Sequence, residues 1–176
     1  MAESPETPAG GAAADQSPRM TIMSQYVRDL SFENPRAPLS LQANQGRPEI
    51  QIRVDVRAQQ MEGERYEVSL QVHAEAKAGD QIAFVVELTY GGVFGLLNVP
   101  QDSLQPLLLI ECPRLLFPFA RRVIADATRD GGFPPLLIDP IDFVSLYRRR
   151  QQQAQESRQA AGEPVASPRV GDGASN

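Results

Sequence analysis

Histidine and cysteine are almost missing from this chain: His73 and Cys112 are the only ones in 176 residues. One thiol cannot close an intrachain disulfide, and disulfide-free chains fit a reducing compartment. One imidazole and one thiol far apart in sequence make neither a Cys/His dyad nor a zinc-ligand set. His73 falls on the polar parity of a strand and reads as exposed; Cys112, beside Pro113, reads as a packed thiol. No G-x-x-x-x-G-K-[ST] run is present, so a P-loop nucleotide site has no support. Carboxylates are plentiful, but no pair is singled out for acid–base work. The chain reads as a non-enzyme that needs no cofactor and no metal.

Long hydrophobic runs are lacking too. Leu107 to Ile110 is only a short apolar patch, far below the length that spans a bilayer. The N-terminus has no basic stretch followed by an apolar one, so no secretory signal is expected. The expected location is the cytosol. Surplus positive charge is also absent. A net charge of −5 disfavours nucleic acid and anionic membranes as partners, because both select clustered cations. A basic protein partner remains compatible.

What the chain does have is alternation between Glu49 and Tyr90. Ile50, Ile52, Val54, Val56 and Ala58 alternate with Gln51, Arg53, Asp55 and Arg57. Val68, Leu70, Val72, Ala74 and Ala76 alternate with Ser69, Gln71, His73 and Glu75. Ile82, Phe84, Val86, Leu88 and Tyr90 alternate with Ala83, Val85, Glu87 and Thr89. A period of two marks half-buried strands, and three of them give a sheet with one apolar and one charged face. Glu62-Gly63-Glu64 and Gly79-Asp80 supply the hairpin turns. Gly91-Gly92 is expected to end this meander in a flexible apolar loop.

Met20 to Glu33 is a further strand, in which Met23, Val27 and Arg28 break the parity. Such breaks suit an edge strand or a bulge. The link from Asn34 to Pro48 is too long for a hairpin and predicts a crossover to another part of the sheet. Residues 1–18 and 157–176 are rich in Ala, Gly, Pro and Ser, a composition expected to stay disordered. The span 19–156 is the expected domain.

The second half reads as helical. Asp102 or Ser103 is expected to cap a helix that Cys112-Pro113 interrupts, with a kink or restart at Pro118 and a stop at Gly131-Gly132. Its residues are apolar nearly all round, which requires burial on more than one side and points to an oligomer. Asp139-Pro140 is expected to start a last helix, with Phe143, Leu146 and Tyr147 on one stripe and Arg148 to Arg150 near its end.

Four segments together resemble one family. Tyr26-Val27-Arg28-Asp29-Leu30-Ser31-Phe32-Glu33-Asn34-Pro35 resembles the first-strand signature of the SecB protein-export chaperones. Gly91-Gly92-Val93-Phe94 resembles a later loop of theirs, and Gly132-Phe133-Pro134-Pro135-Leu136 the link before their last helix. Cys112-Pro113-Arg114-Leu115-Leu116-Phe117-Pro118-Phe119-Ala120-Arg121 is the most specific piece. The resemblance implies an α+β fold: a four-stranded antiparallel sheet with helices packed on one face, assembled as a dimer of dimers. It implies an ATP-independent cytosolic holder of unfolded secretory precursors, delivering them to the translocase motor SecA. The implied motor-binding positions are Asp29, Glu33, Val85 and Glu87. The implied precursor groove draws on Ile50, Ile52, Val54, Phe84, Val86, Leu88, Tyr90 and Phe94; Phe143 and Leu146 are added from the stripe of the last helix. One departure from the family is the C-terminal tail, which is mixed in charge, with Arg158 and Arg169, rather than acidic. Alternatives are a structural oligomer without a client, or an antitoxin-type chaperone with one dedicated partner.

Overall fold

A computed structural model describes residues 17–42 and 48–161, which fall into two compact units divided between Ile138 and Asp139. Most of the two expected tails lies outside the described residues.

The first unit is built on one antiparallel sheet. Its strands are β1 (Arg19–Glu33), β2 (Glu49–Gln60), β3 (Arg65–Ala78) and β4 (Gln81–Leu97), in the order β1-β4-β3-β2. The expected crossover is there: β1 lies beside β4, and the chain then travels to the opposite edge to start β2. Gly63 and Gly79 turn the two hairpins with φ of 65° and 61°, the left-handed region that glycine enters without a Cβ clash.

Alternation sets the faces as anticipated. Val68, Leu70, Val72 and Ala74 of β3 are buried, as are Phe84, Val86, Leu88 and Tyr90 of β4, while Glu87 between them is exposed. At the outer edge this cover thins, and Ile50 and Ile52 are 40% and 39% exposed.

Two expectations fail in β1 and β4. Gly91-Gly92 does not end the meander: β4 runs straight through to Leu97, with Phe94 fully buried inside it. The glycines are there because neighbours press on the strand from both faces. A Cβ on Gly91 would lie 2.8 Å from the Tyr26 ring, and one on Gly92 would lie 2.7 Å from Leu116. In β1 the parity breaks are two bulges, between Ile22 and Ser24 and between Val27 and Asp29. Each extra residue flips the side chains that follow. Val27 therefore pairs with Tyr90 on the apolar side while Tyr26, opposite Gly91, moves to the open face. The second bulge restores the parity, so Asp29, Ser31 and Glu33 face the same way as Glu87.

The helical half is one nearly continuous rod: α1 (Gln101–Pro106), a π-helical segment (Leu107–Glu111) and α2 (Cys112–Asp130). Pro100 occupies the capping position, not Asp102 or Ser103, and its carbonyl accepts from Ser103 N–H at 2.9 Å. Cys112-Pro113 does not break the rod. Pro113 lacks the N–H that would bond Leu109, and the wider turn before it, with Cys112 N–H bonded to Leu107, absorbs that loss. Helix α2 also continues through Pro118. Its inner face (Leu116, Ala120, Ile124) is sealed, whereas Leu115 and Phe119 stay 38% and 45% exposed.

The second unit carries α3 (Phe143–Ala161). Asp142 caps it, accepting from Ser145 N–H at 3.0 Å and Ser145 Oγ at 2.6 Å, so the start is later than Asp139-Pro140. Those two bonds, the side-chain one first, hold the Asp142 carboxyl below its ordinary value. The helix continues past Ser157 to Ala161, which leaves Arg148 to Arg150 inside it rather than at its end. Gln and Ala are good helix formers and sustain that extension.

Candidate functional site

The apolar face of the first unit is not closed everywhere. A cavity of about 650 Å³ opens beside the sheet edge, lined by Leu41, Ile50, Phe84, Phe133, Pro135 and Leu137 among others. Local chemistry positions its walls. Thr128 is fully buried near the end of α2, and its hydroxyl accepts from Leu136 N–H at 2.9 Å. Phe133 N–H bonds back to the Thr128 carbonyl at 3.1 Å, so the segment after α2 is tied to that helix. Gly132, at φ 89°, makes the turn. On the other side, Ser40 Oγ donates to Asn34 Oδ1 at 2.6 Å and fixes the short 3-10 turn Leu39–Leu41. Phe84 packs between Phe32 and Phe133, with ring centroids 5.8 and 4.8 Å away, and forms the floor.

Of the expected groove residues, Ile50 and Phe84 line this cavity. Ile52 is open on the same strand face and Val54 is half-buried. Val86, Leu88 and Phe94 are 0–2% exposed and Tyr90 stacks on Phe119; these four are buried in the core and do not line the cavity. Phe143 is buried and Leu146 half-buried in the second unit. Leu41, Phe133, Pro135 and Leu137 were missed. Phe133 and Pro135 lay inside a quoted motif, and the exposed apolar residues in links (Leu137 is 64% exposed) were the signal available.

The opposite face carries the second group. Ser31 pairs with Glu87 and Glu33 with Val85, while Asp29 pairs with Thr89, so the four expected motor-binding residues do share one patch. Val85 is half-buried rather than open, set between Glu33 on β1 and Glu75 on β3. A shallow depression of about 560 Å³ includes Asp29, Arg53, Asp55, His73 and Glu87. His73 is not the solitary exposed residue the sequence suggested: Nδ1–H donates to Glu87 Oε1 at 2.9 Å. Lys77, 2.6 Å from Glu75, is the main cause of that carboxyl's lowered pKa, with the His73 and Arg53 charges adding to it. At the far end Tyr26 donates to Glu67, and Arg28 lies 3.3 Å from the same oxygen. Burial first, then that bond, raises the Tyr26 phenol.

Among the described residues no cluster of His, Cys, Asp or Glu could hold a metal ion. Cys112 is fully buried, and desolvation pushes its thiol up to about 12. It is a packed thiol and a poor nucleophile. No helix among the described residues is long and apolar enough to cross a membrane.

Residues 13–154 match the family model described as preprotein translocase subunit SecB. The chain belongs to the SecB family. SecB proteins are protein-export chaperones and not enzymes. A protein-export protein SecB of Parvibaculum lavamentivorans is 53% identical over 152 residues, covering 86% of this chain and 90% of that one. A SecB of Rhodopseudomonas palustris is 51% identical over 153 residues, covering 87% and 95%. Among solved structures, a SecB-like chaperone of Mycobacterium tuberculosis in complex with an antitoxin peptide aligns with a TM-score of 0.55 at 17% identity. It covers 70% of this chain and 91% of that one, a likeness of fold.

Proposed function

We propose that this SecB protein holds unfolded secretory precursors in the cytosol, without ATP, and passes them to the motor SecA. The observation that carries the reading is the cavity between Leu41, Ile50, Phe84, Phe133 and Leu137, with exposed apolar side chains at its rim. A folded protein hides its apolar side chains; an unfolded one offers them in extended runs. Covering one large apolar side chain is worth about 1.5–3 kcal/mol, so four contacts give about 6–12 kcal/mol before the client's ordering cost. One such cavity binds weakly and with little sequence preference. Assembly as a dimer of dimers links several and raises retention through effective concentration. The carboxylates at Asp29, Glu33 and Glu87, with Val85 among them, suit a basic segment of the motor, and they stand on the other face of the sheet.

Double substitution Leu41→Asp and Leu137→Asp tests the client site at two exposed positions. Wild-type protein at near-stoichiometric ratio is expected to suppress the light scattering of an unrelated denatured protein. The double variant should need several-fold more protein for the same effect. Equal suppression by both would place client binding elsewhere. No suppression by wild-type protein would favour a purely structural oligomer or a chaperone with one dedicated partner.

A further inference from the structure

The sheet has two outer edges, and they are not alike. Strand β1 is broken by bulges after Ile22 and after Val27, a device that blunts an edge. Strand β2 pairs with β3 in unbroken register from Glu49 to Gln60, and β3 is its one neighbouring strand among the described residues. In such a strand the N–H and C=O of every second residue point outward, as a row of donors and acceptors. Between Ile50 and Val54 that row has no partner among the described residues. Pro48 and Ile50, where this edge begins, line the apolar cavity. Ile52 follows on the same side of the strand, and both isoleucines stay exposed. Residues 134–137, another part of the lining, form neither helix nor strand. Thr128 takes Leu136 N–H, and Leu137 N–H has no partner among the described residues. None of the residues lining the cavity is ionisable, so charge gives an incoming segment no handle there.

We propose that the outer edge of β2 takes a stretch of unfolded client as a fifth strand, holding its backbone while every second client side chain turns to the apolar cavity. The proposal rests on the reading of the cavity as the client site. Unfolded chains differ in side chains and share a backbone whose amides are unspent. A folded protein has already committed those amides to its own helices and sheets. Strand addition therefore separates unfolded from folded without reading sequence. The period of two then sorts the client's side chains. One parity lies along Ile50 and Ile52, and the other falls on the polar face with Arg53 and Asp55. The segment that fits best is apolar at alternate positions and has no proline where an amide must meet β2.

The test uses the full-length protein and one peptide sequence, Phe and Thr alternating with a lysine at each end. It is made unmodified, N-methylated at every Phe, and N-methylated at every Thr. N-methylation removes donors and leaves the side chains in place. In an added strand the amides of one parity face β2 and those of the other face away. One methylated peptide should therefore bind at least about tenfold more weakly than the unmodified one, through loss of about two hydrogen bonds, while the other stays within about twofold. By NMR, alternate amides between Ile50 and Val54 should exchange freely in the protein alone and slow when the unmodified peptide is bound. Equal binding of all the peptides overturns the proposal, as does an equal loss in both methylated forms or a failure of the unmodified peptide to bind. Amides of β2 that are already slow without peptide would mean that a second copy covers the edge, which overturns it too. The client reading is judged separately by light scattering. Suppression by wild-type protein without a parity effect keeps the cavity and removes the added strand, whereas no suppression removes the cavity itself.

Discussion

At the scale of single residues, Gly91 and Gly92 are where the sheet is gripped from both sides, by Tyr26 on one face and Leu116 on the other. Gly92→Val forces a branched side chain into a space where even a Cβ is too close. Overpacking of this kind costs about 1–3 kcal/mol, and a urea midpoint lowered accordingly is the expected result. Gly63→Ala makes the contrast, since no atom lies within 4 Å of the added Cβ and the cost comes from its φ of 65° alone. An unchanged midpoint in Gly92→Val would mean that α2 does not press on β4 there. The pair is easily misread in sequence. Two glycines in a row advertise conformational freedom, and nothing nearby reveals that distant side chains require their lack of bulk. His73 illustrates the same blindness: its polar parity is legible, but its Glu87 partner follows only from the register of β3 against β4.

At the scale of elements, the strands were readable because a period of two is a local property, and each hairpin turn carries its own glycine. The two bulges of β1 showed as broken parity without their positions, and the outcome for Asp29 depends on there being two rather than one. Helix boundaries were less legible. Asp139-Pro140 mimics a start signal, yet the cap is Asp142, because Ser145 stands where it can donate. The joint that shapes the cavity had no sequence signature at all. Thr128 bonds Leu136 N–H while its own hydroxyl donates within the last turns of α2. Thr128→Val keeps the shape and removes the acceptor, leaving a buried N–H unpaired at a cost of about 1–3 kcal/mol. The expected result is a lower urea midpoint together with weaker capture of denatured protein, since the freed segment carries Phe133 and Leu137. Lower stability with undiminished capture would show that the cavity does not depend on this joint.

At the scale of the whole molecule, α2 presents more apolar surface than its own sheet covers. Leu115 and Phe119 remain open while Leu116 and Ala120 are sealed, as the all-round apolar composition anticipated. Given the proposed dimer of dimers, Leu115→Asp with Phe119→Asp should reduce the sedimenting mass below that of the wild-type protein. Client retention should weaken with it, because linked cavities no longer act together. An unchanged mass in the double variant would move the proposed interface away from α2. The family was legible from four short motifs in register, and the sheet with its crossover followed from them and from the strand pattern. The division between lining and core was not legible. Alternation gives a side chain's face and not its depth, so Val86, Leu88 and Phe94 carry the same signature as Ile50.

Strand β4 serves two masters at once: Phe84 points into the apolar cavity, and its next-but-two neighbour Glu87 points away from it into the carboxylate patch. In the proposed reading, cargo and motor have separate berths, a single polypeptide layer apart. On that reading a laden chaperone would still have its landing surface vacant, and a three-way complex could assemble before anything is let go, so the passenger need never be loose in solution during transfer.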